Sequence, residues 1–202
     1  MASSTADTQG FITQKTKDHY RTLCEPGAGI LFVEYSYVNL SGRGEVNHLG
    51  VDADDKIEGI SALAKIIHEN DMLAGLQIVH NGGKTKSQYC GELLGPSAIR
   101  VPTKGMDLEI PRELLEDEIE EMKAWYLSAA GRVDAAGFDI VELHCAHGYG
   151  LNQWLSPITN HRTDAYGGCI EKRARMLLDI ARSIKIKYPG LLLSVRLPLK
   201  DH

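Results

Sequence analysis

Four runs of consecutive apolar residues punctuate the chain: Gly29 to Glu34, Ala74 to His80, Phe138 to His144 and Leu191 to Leu197. Each is short, none alternates apolar with polar, and each carries a polar or charged residue at its end, Arg196 in the last. Uninterrupted runs of this length suit parallel strands covered on both faces. Between them the period changes to that of a helix. After a cap at Asp54 or Asp55, Ile57, Ile60, Leu63, Ala64 and Ile67 share one face, and that helix closes near Asn70. Pro111 suits a first helical turn, and Leu115, Ile119, Met122, Tyr126, Ala129 and Val133 form a stripe that Gly137 closes. A third helix, from about Glu171 to Tyr188, turns Ala174, Leu177, Leu178, Ala181 and Ile184 inward and stops at Pro189-Gly190. Strand and helix alternating at this scale predict βαβ units and a parallel sheet. Asn81 to Ile110 holds five glycines and two prolines without periodicity, and reads as a long loop of the kind that covers an active site.

The side chains at the strand ends choose between α/β architectures. A doubly wound nucleotide-binding sheet would show GxGxxG after its first strand, and none of the four strands has it. Ser41-Gly42-Arg43-Gly44 is too short for a phosphate loop and lacks its lysine. Instead each strand end bears a chemically active group: Glu34, Gln77 with His80, Glu142 with His144, and Arg196. One polar contribution per strand converging on a common face is the habit of a (β/α)8 barrel.

The densest chemistry lies in Glu142-Leu143-His144-Cys145-Ala146-His147-Gly148-Tyr149. Two imidazoles and a phenol just past a strand end can hold a carbonyl or nitro oxygen and supply a proton. Gly148 and Gly150 favour a turn there, and Pro157 follows soon after, so a clean helix start is not expected. His144 and His147 could also pair on a metal with Glu142, or serve as structural histidines. Gln77, mid-strand, must find hydrogen-bond partners in the core or read the edge of a heterocycle. Arg196 needs an anion, with Glu34 or Glu142 as candidates, or an electron-rich ligand. Arg162 and Asp164, in a glycine-bounded polar run, tie a loop to the body.

Composition narrows the partners. A net charge of −5 and a pI near 5.9, without a Lys/Arg cluster, argue against a nucleic-acid surface. No apolar run reaches the roughly 18 residues of a membrane helix, and the N-terminus lacks the basic and apolar regions of a signal peptide. Cys24, Cys90, Cys145 and Cys169 have no CxxC spacing, which argues against a zinc or iron–sulfur site, and without a signal sequence reduced thiols in the cytoplasm are expected.

These residues together resemble the old yellow enzymes, the NADH:flavin oxidoreductase family of FMN-dependent ene-reductases. The matches run in order through Gly10-Phe11-Ile12-Thr13 with His19-Tyr20, Gly29 to Glu34, Gly42-Arg43, Gly75 to His80, Gly95 to Ile99, and Gly137-Phe138-Asp139 to Tyr149. The most specific is Leu151-Asn152-Gln153-Trp154-Leu155-Ser156-Pro157, which leads to Asn160, Arg162, Asp164, Tyr166-Gly167-Gly168, Glu171 and Arg173. The resemblance implies a (β/α)8 TIM-type barrel, FMN as cofactor and NAD(P)H as reductant. It places Gln77 on the flavin pyrimidine edge and Arg196 by its N1/O2 region. It makes His144 and His147 the pair that holds the substrate oxygen, and Tyr149 the phenol that protonates the alkene.

The chain departs from the family where Gly83, followed by Lys84, stands in an arginine's place. It opens at Met1 without the family's first strand and stops at Asp201-His202 after the Arg196 strand, so residues 1–202 are expected to form one partial barrel of about four βα units. The phosphate end of the FMN site would lie in later strands. Two readings follow. In one, the chain is part of a reductase acting on small activated alkenes, its open edges completed by another chain or a second copy. In the other, it is a non-catalytic remnant or interaction module.

Overall fold

In the computed structural model, residues 2–24 and 28–199 are described; Met1 and Asp201–His202 lie outside them. The elements in chain order are α1 (Gln14–Leu23), β1 (Ile30–Tyr37), α2 (Ile57–His68), β2 (Leu73–Val79), α3 (Ser87–Cys90), β3 (Leu94–Gly95), β4 (Arg112–Glu113), α4 (Glu116–Ala135), β5 (Ile140–His144), α5 (Gly150–Leu155), α6 (Ile170–Arg173), α7 (Arg175–Lys187) and β6 (Leu192–Arg196). The four expected strands form one parallel sheet in the order β1-β2-β5-β6. Apart from the two-residue strands, spatial order follows chain order. A doubly wound sheet reverses direction partway; a sheet wound one way throughout is a barrel wall. Neighbouring helices α1–α2, α2–α4 and α4–α7 pack against one another, as a single outer layer requires.

Burial explains the strands. Leu76, Ile78 and Val79 of β2 and Val141 and Leu143 of β5 are fully buried, and all but Val79 belong to the core shared with the helices. Each such aliphatic contributes about 1.5–3 kcal/mol. Beneath them, Ile60, Leu63, Ala64 and Ile67 of α2 and Ile119, Met122, Tyr126, Ala129 and Val133 of α4 are buried, as the periodicity predicts. Gly137 does close α4, at φ +83°. Among the described residues no helix is long and apolar enough to cross a membrane.

The expectations fail in four places and miss one helix. Neither Asp54 nor Asp55 caps α2: the helix is entered through a 3-10 turn, Asp54–Lys56, and the Asp54 carboxylate pairs with Arg132 at 2.6 Å. Leu115 is exposed as the N-cap of α4, because Pro111 precedes β4 and the helix begins five residues later, at Glu116. The third helix breaks at Ala174 into α6 and α7. The break rotates the buried stripe to Met176, Leu177, Ile180 and Ile184 and leaves Leu178 exposed. The N-terminal helix α1 carried no apolar stripe to find, since Thr16 and Tyr20 are its only buried residues. A helix does start beside the two glycines: α5 begins at Gly150. His147 and Gly148 take up the turn at φ +60° and +75°, which leaves Gly150 free to be helical.

The loop from Asn81 to Ile110 is tied down by α3 and by the β3–β4 pair. Arg162 anchors this region. Its buried guanidinium donates to Asp164 Oδ2, Pro96 O and Leu114 O, so its expected structural role is the one it performs.

Candidate active site

Adjacent parallel strands in register put side chains of one layer side by side. Gln77 of β2 lies opposite Glu142 of β5, which lies opposite Ser194 of β6. Gln77 Nε2 donates to Glu142 Oε1 at 2.6 Å, and Ser194 Oγ donates to Glu142 Oε2 at 2.7 Å. One layer further along, His144 pairs with Arg196, and the Cys145 N–H donates to the Arg196 carbonyl at 2.9 Å. Thus His144 and Arg196 stand at the C-terminal ends of β5 and β6, with Gln77 one layer below on β2. That is the face on which barrel enzymes carry their chemistry.

The turn after β5 brings the remaining groups to His144. The His147 ring meets it edge-on with centroids 5.2 Å apart, and the Tyr149 ring does so at 4.9 Å. Lys84 donates to the His147 carbonyl and places its ammonium 4.9 Å from the Tyr149 ring centroid. The turn is fixed from below by Asn152, whose Oδ1 accepts from the Gly148 N–H at 2.7 Å, and by Gln153, whose Nε2 donates to Gly148 O at 2.7 Å. A cavity of about 370 Å³ adjoins it, walled by His147, Lys84, Val101, Thr103, Ile158 and Pro198 among others.

Electrostatics set the protonation states. Burial, reinforced by the charges of His147, Arg196 and Lys84, pushes His144 down to about 3, so at neutral pH it is an uncharged imidazole. Its Nδ1 is buried without a hydrogen-bond partner among the described residues. His147 is lowered for the same reason, first by burial and then by Arg196 and Lys84. Burial raises the Tyr149 phenol, which therefore keeps its proton.

Two strand-end groups do not join this cluster. His80 is a buried structural histidine: the Gly82 N–H donates to its Nδ1 at 3.0 Å, its Nε2 bonds Ser41 Oγ at 3.0 Å, and its ring stacks on Trp125. Glu34 takes its bonds from Ser3. The carboxylates proposed as partners of Arg196 are thus both committed elsewhere, Glu34 to Ser3 and Glu142 to Gln77 and Ser194, and Arg196 forms no ion pair with either. Tyr35 and His48 were not singled out from the sequence; both border the cluster, Tyr35 stacking on Tyr149. Among the described residues no group of three or more His, Cys, Asp and Glu side chains is gathered as a metal would need.

The donor set fits a flavin ring. A planar heterocycle with a hydrogen-bonding edge matches the amide of Gln77, and Arg196 offers a cation not neutralised by Glu34 or Glu142.

A half-barrel wall with polar side chains gathered at the C-terminal strand ends is the architecture of part of an α/β barrel. The sequence model of the NADH:flavin oxidoreductase / NADH oxidase family matches residues 1–201, and the chain belongs to that family, the old yellow enzymes. It is 36% identical over 203 aligned residues to the NADPH dehydrogenase of Geobacillus sp. (strain WCH70), covering 100% of this chain and 58% of that protein. Among solved structures it superposes on the old yellow enzyme homologue from Zymomonas mobilis at a TM-score of 0.89 with 28% identity, covering 96% of this chain and 56% of that one. It also superposes on a 2-naphthoyl-CoA reductase in complex with 2-naphthoyl-CoA, at 0.91 with 27% identity, covering 97% and 32%. The chain thus spans a little over half the length of the curated relative it matches.

Proposed function

We propose that residues 1–202 supply the substrate-oxygen site, the proton donor and the ring-edge contacts of an FMN-dependent reductase that saturates activated C=C bonds such as those of enones. The observation that carries this reading is the convergence of His144, His147 and Tyr149 around an uncharged His144 with an unpartnered Nδ1. FMN held there would supply the hydride chemistry, with NAD(P)H as its reductant. Gln77 would hold the pyrimidine edge, and Arg196 would offset negative charge there. Each neutral imidazole donates an N–H to the substrate oxygen, drawing electron density from the alkene and making its β-carbon electrophilic. The Tyr149 hydroxyl, still protonated at neutral pH, then gives its proton to the α-carbon.

The outer edge of β6 and the exposed face of α7 carry Leu192, Leu197, Leu199 and Ile186, all exposed. A completed barrel would cover this apolar surface, whether the covering strands belong to a longer chain, another chain or a second copy.

A phenol titration tests the reading. The chain incubated with FMN should bind it and turn yellow, and a para-substituted phenol should then produce a long-wavelength charge-transfer band. Replacing both His144 and His147 with Ala should abolish the band while FMN stays bound. A colourless chain that cannot be loaded with FMN would refute flavin binding by this chain alone, and an unchanged phenol affinity in the loaded double variant would refute the oxygen site.

A further inference from the structure

The register of β1 against β2 slips just where β1 reaches the site. Val33 pairs with Leu76 but Ser36 with Ile78, so β1 advances three residues while β2 advances two. Bulges of this kind re-aim a side chain beside active sites. Here the affected residue is Tyr35. Its ring stacks on Tyr149 with centroids 5.4 Å apart and 25° between planes, and meets His144 edge-on at 6.2 Å.

Tyr35 is itself held from behind. The His48 ring lies 4.3 Å from that of Tyr35. The Gly44 N–H donates to His48 Nδ1 at 2.9 Å, which leaves the imidazole proton on Nε2; that nitrogen donates to the Tyr35 carbonyl at 3.0 Å. One buried histidine therefore fixes both the backbone and the ring of Tyr35. A support this specific is more than two phenols need merely to fill space.

We infer that Tyr35 is a positioning residue for Tyr149, its ring holding the second phenol against His144 and its hydroxyl assisting the release of the Tyr149 proton. This rests on the reading of Tyr149 as the proton donor. The electrostatics agree in sign: burial raises the Tyr149 phenol, and the contact with the Tyr35 hydroxyl works in the opposite direction. Removing that hydroxyl should make Tyr149 a weaker acid without emptying the space.

The test uses the 202-residue chain without flavin. Tyrosine is labelled with ¹³C at Cζ, and the Tyr149 signal is assigned by its loss in Tyr149→Phe. In Tyr35→Phe the Tyr149 signal should titrate higher, by roughly half a pK unit or a threefold weaker acid. In Tyr35→Ala, which removes the stacked ring, Tyr149 ring flips at neutral pH should speed up by roughly threefold to tenfold, with Tyr35→Phe near wild type. A Tyr149 that titrates identically in wild type and Tyr35→Phe, or flips equally fast in all three proteins, would overturn the inference. Neither readout involves FMN, so failure of the phenol titration above would count against the proposed function and leave this result standing.

Discussion

Acid should destabilise this chain through its buried histidines before its depressed carboxylates titrate. His48 and His80 are buried and neutral, pushed by desolvation from 6.5 to about 3 and about 4. In each ring Nδ1 accepts a backbone N–H, from Gly44 and Gly82 respectively. A proton placed there would turn an acceptor into a donor facing a donor. The folded values lie below the unfolded one, so the unfolded chain binds more protons, and stability present above about pH 6.5 is lost as pH falls. Between about pH 7.5 and about pH 5 each histidine should cost roughly 2 kcal/mol, 1.5 pK units at 1.36 kcal/mol per unit, or about 4 kcal/mol for the pair. His144 and His147 shift in the same direction and add to this. The carboxylates whose folded values are depressed, Asp139, Asp164 and the Arg112 partners Glu92 and Glu118 among them, lose their contribution only at lower pH. Urea denaturation at the two pH values measures the total, and His80→Gln should shrink the pH-dependent difference by about 2 kcal/mol whatever it does to stability at pH 7.5. A difference under about 1 kcal/mol in the wild type, or histidine titrations near 6.5 by NMR, would refute the argument.

Two further perturbations probe the site's supports. A Cβ added at Gly150 would fall 2.4 Å from the His80 carbonyl oxygen, to which the Gly150 N–H already donates, so Gly150→Ala must shift backbone next to Tyr149. Urea titration should show a loss of about 1–3 kcal/mol, and unchanged stability would mean that this close approach is not real. In FMN-loaded protein Arg196→Ala should weaken binding of the reduced, anionic flavin more than that of the oxidised form, lowering the midpoint potential; an unchanged potential would remove Arg196 from the ring edge.

Apolar runs revealed the four strands because β2 and β5, at the centre of the sheet, are almost wholly buried, and the edge strands β1 and β6 carry runs of the same kind although β6 is left partly exposed. The clustering of His144, His147 and Tyr149 was legible because the turn after β5 holds them together in sequence as well as in space, and Gln77 and Arg196 join that face only because β2 and β6 flank β5. Tyr35 and His48 were not. They follow the point where β1 loses its purely apolar character, and only the register slip after Val33 turns Tyr35 toward Tyr149. No local pattern announces such a slip. The polar helix α1 was hidden for a similar reason. Its signal is the reciprocal bond between Thr13 and Thr16, a capping box written with Thr rather than Glu or Gln at its third position. Glu34 and His80 show the converse limit, since a polar group at a strand end can equally well be consumed by Ser3 or by Ser41 and Gly82.

The central claim concerns where two hydrogens go on a double bond, and isotopes read that directly. The FMN-loaded chain, given an enone and NADPH deuterated at the transferred position, should place deuterium on the β-carbon; in D₂O with ordinary NADPH the label should appear on the α-carbon, and Tyr149→Phe should slow that second step while His144→Ala slows the first. Product labelled the other way round, or no reduction by protein that demonstrably holds FMN, would contradict the account.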